Sequence, residues 1–83
     1  MSSTLSDPAY RAFVEHLIAL RMRLGVTQGQ LARRLGKHQS YVSKSERYER
    51  RLDPAEFRLF VLALGADPTE EYGRVAAALR EDV

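Results

Sequence analysis

Gln39, Ser40, Ser43 and Lys44 lie in one short stretch and supply an amide, two hydroxyls and a cation. With Val42 set inward and a step of about 100° per residue, Ser45 and Glu46 fall near the inward side of a helix. Ser40, Ser43, Lys44 and Arg47 share the opposite face, with Gln39 at its leading edge. Such a set can hydrogen-bond the edges of base pairs in a major groove: Gln suits adenine, Lys the acceptors of guanine, and Ser either. Gln39, Ser40 and Lys44 are therefore the candidate base readers, with Ser43 a lesser one. Phosphate anchoring needs donors that flank this helix, and Thr27, Gln28, His38, Arg47 and Arg50 stand at its ends or at the start of the helix before it. Those contacts set position rather than sequence.

Other chemistries find little here. The chain has no cysteine, which removes disulfides, thiol catalysis and cysteine-based zinc sites. His16 and His38 fall on separate helices with no close carboxylate cluster, and read as exposed surface histidines. Nothing resembles a nucleophile with its base, a phosphate-gripping glycine loop or a paired-carboxylate site. The expectation is a protein that is not an enzyme and needs no cofactor or metal.

The elements that position these residues are legible from their caps. Asp7-Pro8, Asp53-Pro54 and Asp67-Pro68 each offer an N-cap side chain followed by a residue preset for the first helical turn. Thr27 with Gln30, Asp53 with Glu56 and Asp67 with Glu70 have capping-box spacing. Gly25, Gly36 and Gly65 each follow a leucine and mark helix ends. The result is an all-α fold of five helices: about Pro8 to Leu24, Gln28 to Leu35, Gln39 to Arg47 or beyond, Pro54 to Leu64, and Pro68 to Arg80. Ala32 is small where the second and third helices would cross, and Val42 plugs the angle between them.

Phe13, Leu17, Leu20 and Leu24 form one stripe on the first helix, Leu31 and Leu35 serve the second, and Tyr72, Val75, Ala76 and Leu79 the fifth. On the fourth, Phe57, Leu59, Phe60, Val61, Leu62 and Leu64 wrap most of the circumference, which implies a partner surface and favours a homodimer.

At 83 residues the chain reads as one domain spanning 1–83, with a core of about 8–80 and loose ends at 1–6 and 81–83. Net charge is only +2, but Thr27 to Arg51 holds seven basic residues against Glu46 and Glu49, so that segment is +5 and the remainder −3. Met1 to Tyr10 has no basic segment followed by an apolar one, and the longest apolar run, Leu59 to Ala66, is far short of a membrane span. A soluble cytoplasmic protein with no membrane partner is expected.

The Thr27-Gln28 opening, Leu31-Ala32, Leu35-Gly36, the run Gln39-Ser40-Tyr41-Val42-Ser43-Lys44, Glu46-Arg47 and the ending Ala63-Leu64-Gly65 together resemble the phage repressor and Cro (XRE-type) family of helix-turn-helix regulators, over roughly Phe13 to Pro68. The resemblance implies a compact repressor-like domain that binds double-stranded DNA as a dimer on a partly palindromic operator. It points to the same base readers, to Gln28 as a phosphate contact at a helix N-terminus, and to Arg21 and Glu46 as a structural ion pair inside the domain. An alternative is a protein-interaction adaptor or antitoxin-like module that grips a protein partner, with weak or lost DNA binding.

Two positions depart from the family pattern. Ser45 stands where an apolar core residue is usual, and Tyr48 where glycine turns the chain. Tyr41 and Tyr48 lie about 20° apart on a helical wheel with Ser45 on the same flank, so Tyr48 is expected to fill the space Ser45 leaves. Because tyrosine disfavours a left-handed backbone, the third helix is expected to run past Arg47, as far as Arg50. Gly29 inside the second helix costs about 0.5–1 kcal/mol relative to Ala unless close packing or DNA approach requires it.

Overall fold

Capping side chains start four of the five helices of the computed structural model, which describes residues 7–80. Five α-helices follow in order: α1 Pro8–Arg23, α2 Gln28–Leu35, α3 Gln39–Glu46, α4 Pro54–Ala63 and α5 Pro68–Arg80. The ends read as loose, 1–6 and 81–83, lie outside the described residues. Asp7 accepts from the Ala9 amide, and full reciprocal capping boxes form at Thr27/Gln30 and Asp53/Glu56. Asp67 accepts from the Thr69 amide at 3.0 Å, and among the described residues Glu70 returns no bond. No helix among these residues is long and apolar enough to cross a membrane.

The core gathers Val14, Leu17 and Leu20 of α1, Leu31 and Ala32 of α2, Val42 of α3, Phe57, Phe60 and Val61 of α4, and Val75 of α5. Two stripe members are not interior. Leu24 is 45 % exposed because α1 ends at Arg23 and the chain turns through Gly25, leaving Val26 to fill the core instead. Tyr72 is 56 % exposed because α5 turns Glu71, with Val75, toward the domain. Buried Glu71 is compensated by His16 at 2.8 Å and by Arg74, so His16 is a part-buried partner rather than a free surface histidine. On α4, Phe57, Phe60 and Val61 point inward, whereas Leu59 and Leu62 remain about half exposed.

α3 does not run on to Arg50. It ends at Glu46, and Tyr48 adopts φ +63°, the left-handed conformation usually filled by glycine. The Glu49 amide donates to the Lys44 carbonyl at 2.8 Å and the Tyr48 amide to that of Ser45 at 3.3 Å, the double bond of a Schellman ending. The backbone conformation costs about 1–2 kcal/mol for a residue with a Cβ. Opposing it, the Arg11 guanidinium lies 4.4 Å from the Tyr48 ring and the Tyr48 hydroxyl donates to Glu15 at 3.2 Å. Tyr48 thus packs on the outer face of α1 and leaves Ser45 to itself. Ser45 is fully buried and satisfied, its hydroxyl donating to the Tyr41 carbonyl one turn earlier at 2.7 Å.

The turn that follows is fastened by Glu56. Its carboxylate caps α4 at the Asp53 amide, accepts from the Tyr41 hydroxyl at 2.8 Å and pairs with Arg50. Arg50 is the chief cause that lowers the Glu56 carboxyl from 4.5 to about 2, with the Asp53 amide and Tyr41 adding to it against burial. The same carboxylate, after burial, raises the Tyr41 phenol. Because the folded value lies below the unfolded one, this contribution is present in full above pH 4.5 and is lost as pH falls through about 2. After discounting for partial exposure, Glu56→Gln is expected to remove about 2 kcal/mol at pH 6 and progressively less toward pH 2. Urea unfolding of both proteins across that range measures the convergence; a difference independent of pH would contradict it.

Candidate nucleic-acid interface

The outward side of α3 is built by what its inward side must satisfy. Val42 and Ser45 have no exposed surface and seat the helix against α2, where Ala32 lets the two backbones approach. Between them Gly36 takes φ +70°, which closes α2 and turns the chain within two further residues. Gln39, Ser40 and Lys44 are exposed on the far side. Ser43 is half-buried, its hydroxyl directed to the Ser40 carbonyl at 3.4 Å.

The tilt of this helix is set by Arg21 and Glu46. The Arg21 guanidinium donates through Nε to Glu46 Oε2 at 2.6 Å and through Nη2 to Oε1 at 2.9 Å, and Nη1 reaches the Val26 carbonyl at 2.9 Å. Gln28 adds a donor to Glu46 Oε1 at 2.8 Å. Both charged side chains are close to nine-tenths buried. One carboxylate therefore ties the end of α3 to the end of α1 and the start of α2, a fork geometry that suits arginine.

Gln28, read as a phosphate donor, thus spends one amide hydrogen inside the domain. The other flanking residues differ in how free they are. Thr27 is exposed and accepts from the Gln30 amide. His38 is exposed at the N-cap of α3 and makes no side-chain cap bond there. Arg47 is exposed, with Glu49 at 3.1 Å in a solvated pair of little energetic weight. Arg50 is drawn away from solvent: its guanidinium pairs with Glu56 and lies 4.1 Å from the Tyr41 ring centroid. Glu56 raises the Arg50 pKa further, so the residue holds the turn after α3. Lys37, counted in the basic run but given no role from sequence, stands exposed in the turn before α3, 5.1 Å from the Tyr41 ring.

Gly29 lies beneath Gln39. A Cβ there would meet Gln39 Oε1 at 3.5 Å and Thr27 Oγ1 at 3.9 Å, ordinary contacts that do not demand glycine. Its absence of a side chain leaves a smooth approach between the starts of α2 and α3, where a shallow depression also borders Thr27 and Gln28.

A family described as helix-turn-helix domain matches residues 12–72, from the second turn of α1 into α5. Among solved structures, an XRE-family like protein from Pseudomonas syringae pv. tomato str. DC3000 superposes with a TM-score of 0.83 at 41 % identity, covering 90 % of this chain and 92 % of that one. Comparison with curated proteins finds no match.

Proposed function

This chain belongs to the XRE-type helix-turn-helix family of DNA-binding regulators, and from that premise we propose that it reads a specific operator by laying α3 in the major groove. The observation that supports this most directly is the division of α3: Val42 and Ser45 fully buried, Gln39, Ser40 and Lys44 exposed together. Gln39 and Lys44 carry the adenine and guanine contacts, Ser40 and Ser43 the shorter ones. Thr27, His38 and Arg47, with the remaining donor of Gln28, hold flanking phosphates; Arg50 serves mainly to fix the turn.

The chain acts as one domain and as a symmetric dimer, the half-sites lying about one helical turn apart. Leu59 and Leu62, half exposed on α4, are the surface for the second copy. The same apolar pair is what an adaptor or antitoxin-like role would use to hold a protein partner.

Selection of duplexes from a random pool, followed by binding measurements at rising salt, tests the proposal. A single preferred, partly symmetric sequence is expected, with affinity falling on the order of 10³-fold between about 50 and 200 mM salt as phosphate-bound counterions are released. Binding that ignores sequence, or no binding to any duplex, would overturn it and leave the adaptor role.

A further inference from the structure

A second concave surface lies away from the α3 face. A groove of about 730 Å³ opens between the first turns of α1, the start of α4 and one side of α5. None of Gln39, Ser40 or Lys44 borders it. Its floor is a line of aromatic rings: Tyr10 to Phe13 at 5.8 Å between centroids, Phe13 to Phe57 at 5.1 Å, and Phe57 to Tyr72 at 6.1 Å, the last edge-on. More than half of Tyr72 is exposed there.

The polar groups at its rim are few and of one dominant sign. Arg51 stands over the Tyr10 ring at 4.9 Å, and Arg58 projects from α4. Both are exposed, and among the described residues neither forms an ion pair. The Tyr10 hydroxyl accepts from the Leu52 amide at 2.7 Å and, among the described residues, donates to no acceptor. Among the described residues Asp7 is the one carboxylate on the rim, and one of its oxygens accepts from the Ala9 amide.

A volume in the range of about 300–1,000 Å³, apolar and aromatic walls and a small number of directed polar groups are the attributes of a small-molecule site. We propose that this groove binds an amphiphilic monocarboxylate with a planar apolar body, its rings lying between half-buried Phe13 and exposed Tyr72 above the buried ring of Phe57 and its carboxylate held by Arg51 and Arg58. The two guanidiniums select an anion over a neutral or cationic ligand of the same shape, and the aromatic floor selects a flat body over a polar one. The site is independent of DNA reading by α3.

The test uses the isotope-labelled full chain titrated with 2-naphthoate and, separately, with neutral 2-naphthylmethanol at matched ionic strength. Amide shifts centred on Tyr10, Phe13, Phe57 and Tyr72 are expected, with the acid bound at least tenfold more tightly than the alcohol. The double variant Arg51→Gln/Arg58→Gln is expected to bring the acid down to the alcohol's affinity, and Thr69→Trp, which fills the groove from its α5 edge, to weaken both. Equal binding of acid and alcohol by the unaltered chain overturns the proposal, as do shifts centred on the basic α2–α3 face or no shift at millimolar probe.

Discussion

Glu46→Ala is expected to lower the stability of this domain by about 3–5 kcal/mol, the range for removing one partner of a buried pair. The cause is geometric. Arg21 would keep its bond to the Val26 carbonyl but lose both bonds to Glu46, and Gln28 would lose its acceptor, all in a region where the charged side chains are only 11–12 % exposed. A domain of this size has a total stability on the order of 4–12 kcal/mol, so the variant is expected to melt some 15–30 °C lower. Arg21→Ala should match it, leaving a carboxylate held by Gln28 alone. Arg21→Met/Glu46→Leu should recover most of the loss, because an apolar pair of similar volume removes the desolvation penalty together with the attraction. Urea unfolding of the two single variants and the double completes the cycle. Single losses below about 1 kcal/mol would mean that water reaches the pair freely, and the claim that it fixes the tilt of α3 would go with them.

That pair could be named from sequence only by resemblance, since nothing local links positions 21 and 46, whereas the elements around it were legible from their own residues. The bounds of α2 and the start of α3 follow from Thr27, Gln30 and Gly36, whose roles are settled within one turn of chain. The division of α3 into a buried and an exposed side follows from its period alone. What escaped reading was decided at a distance. Tyr48 carries a local preference against φ +63°, and the preference is overridden by Arg11 and Glu15, some thirty residues earlier. Arg50 reads in sequence as a flanking phosphate donor, whereas Glu56 and Tyr41 draw its guanidinium onto the turn after α3. Glu71 broke the apolar stripe of α5 because His16, 55 positions away, receives it. For Tyr48 and Glu71 the deciding partner lies outside any window in which periodicity or capping operates, and for Arg50 it lies across a turn, in the cap of the next helix, where no helical period joins the two.

The same division decides what Lys44→Ala should do. Lys44 is exposed and, among the described residues, forms no ion pair or hydrogen bond through its side chain, so the fold should be unchanged within about 0.5 kcal/mol. If Lys44 reads a base, each half-site loses about 1–3 kcal/mol on the preferred sequence, and the preference at one or two positions relaxes when sequences are selected from a random pool. Arg47→Ala provides the contrast, because a phosphate contact carries no sequence information: affinity should fall by a similar factor on every duplex, with a shallower salt dependence. Gln39→Ala should relax a different position from Lys44→Ala, since the two side chains stand more than one turn apart on α3. An unchanged preferred sequence for Lys44→Ala, with uniformly weaker binding, would move Lys44 into the same class as Arg47. Specificity would then have to rest on Gln39 and Ser40 at the leading end of the helix, where Gly29 leaves the approach open.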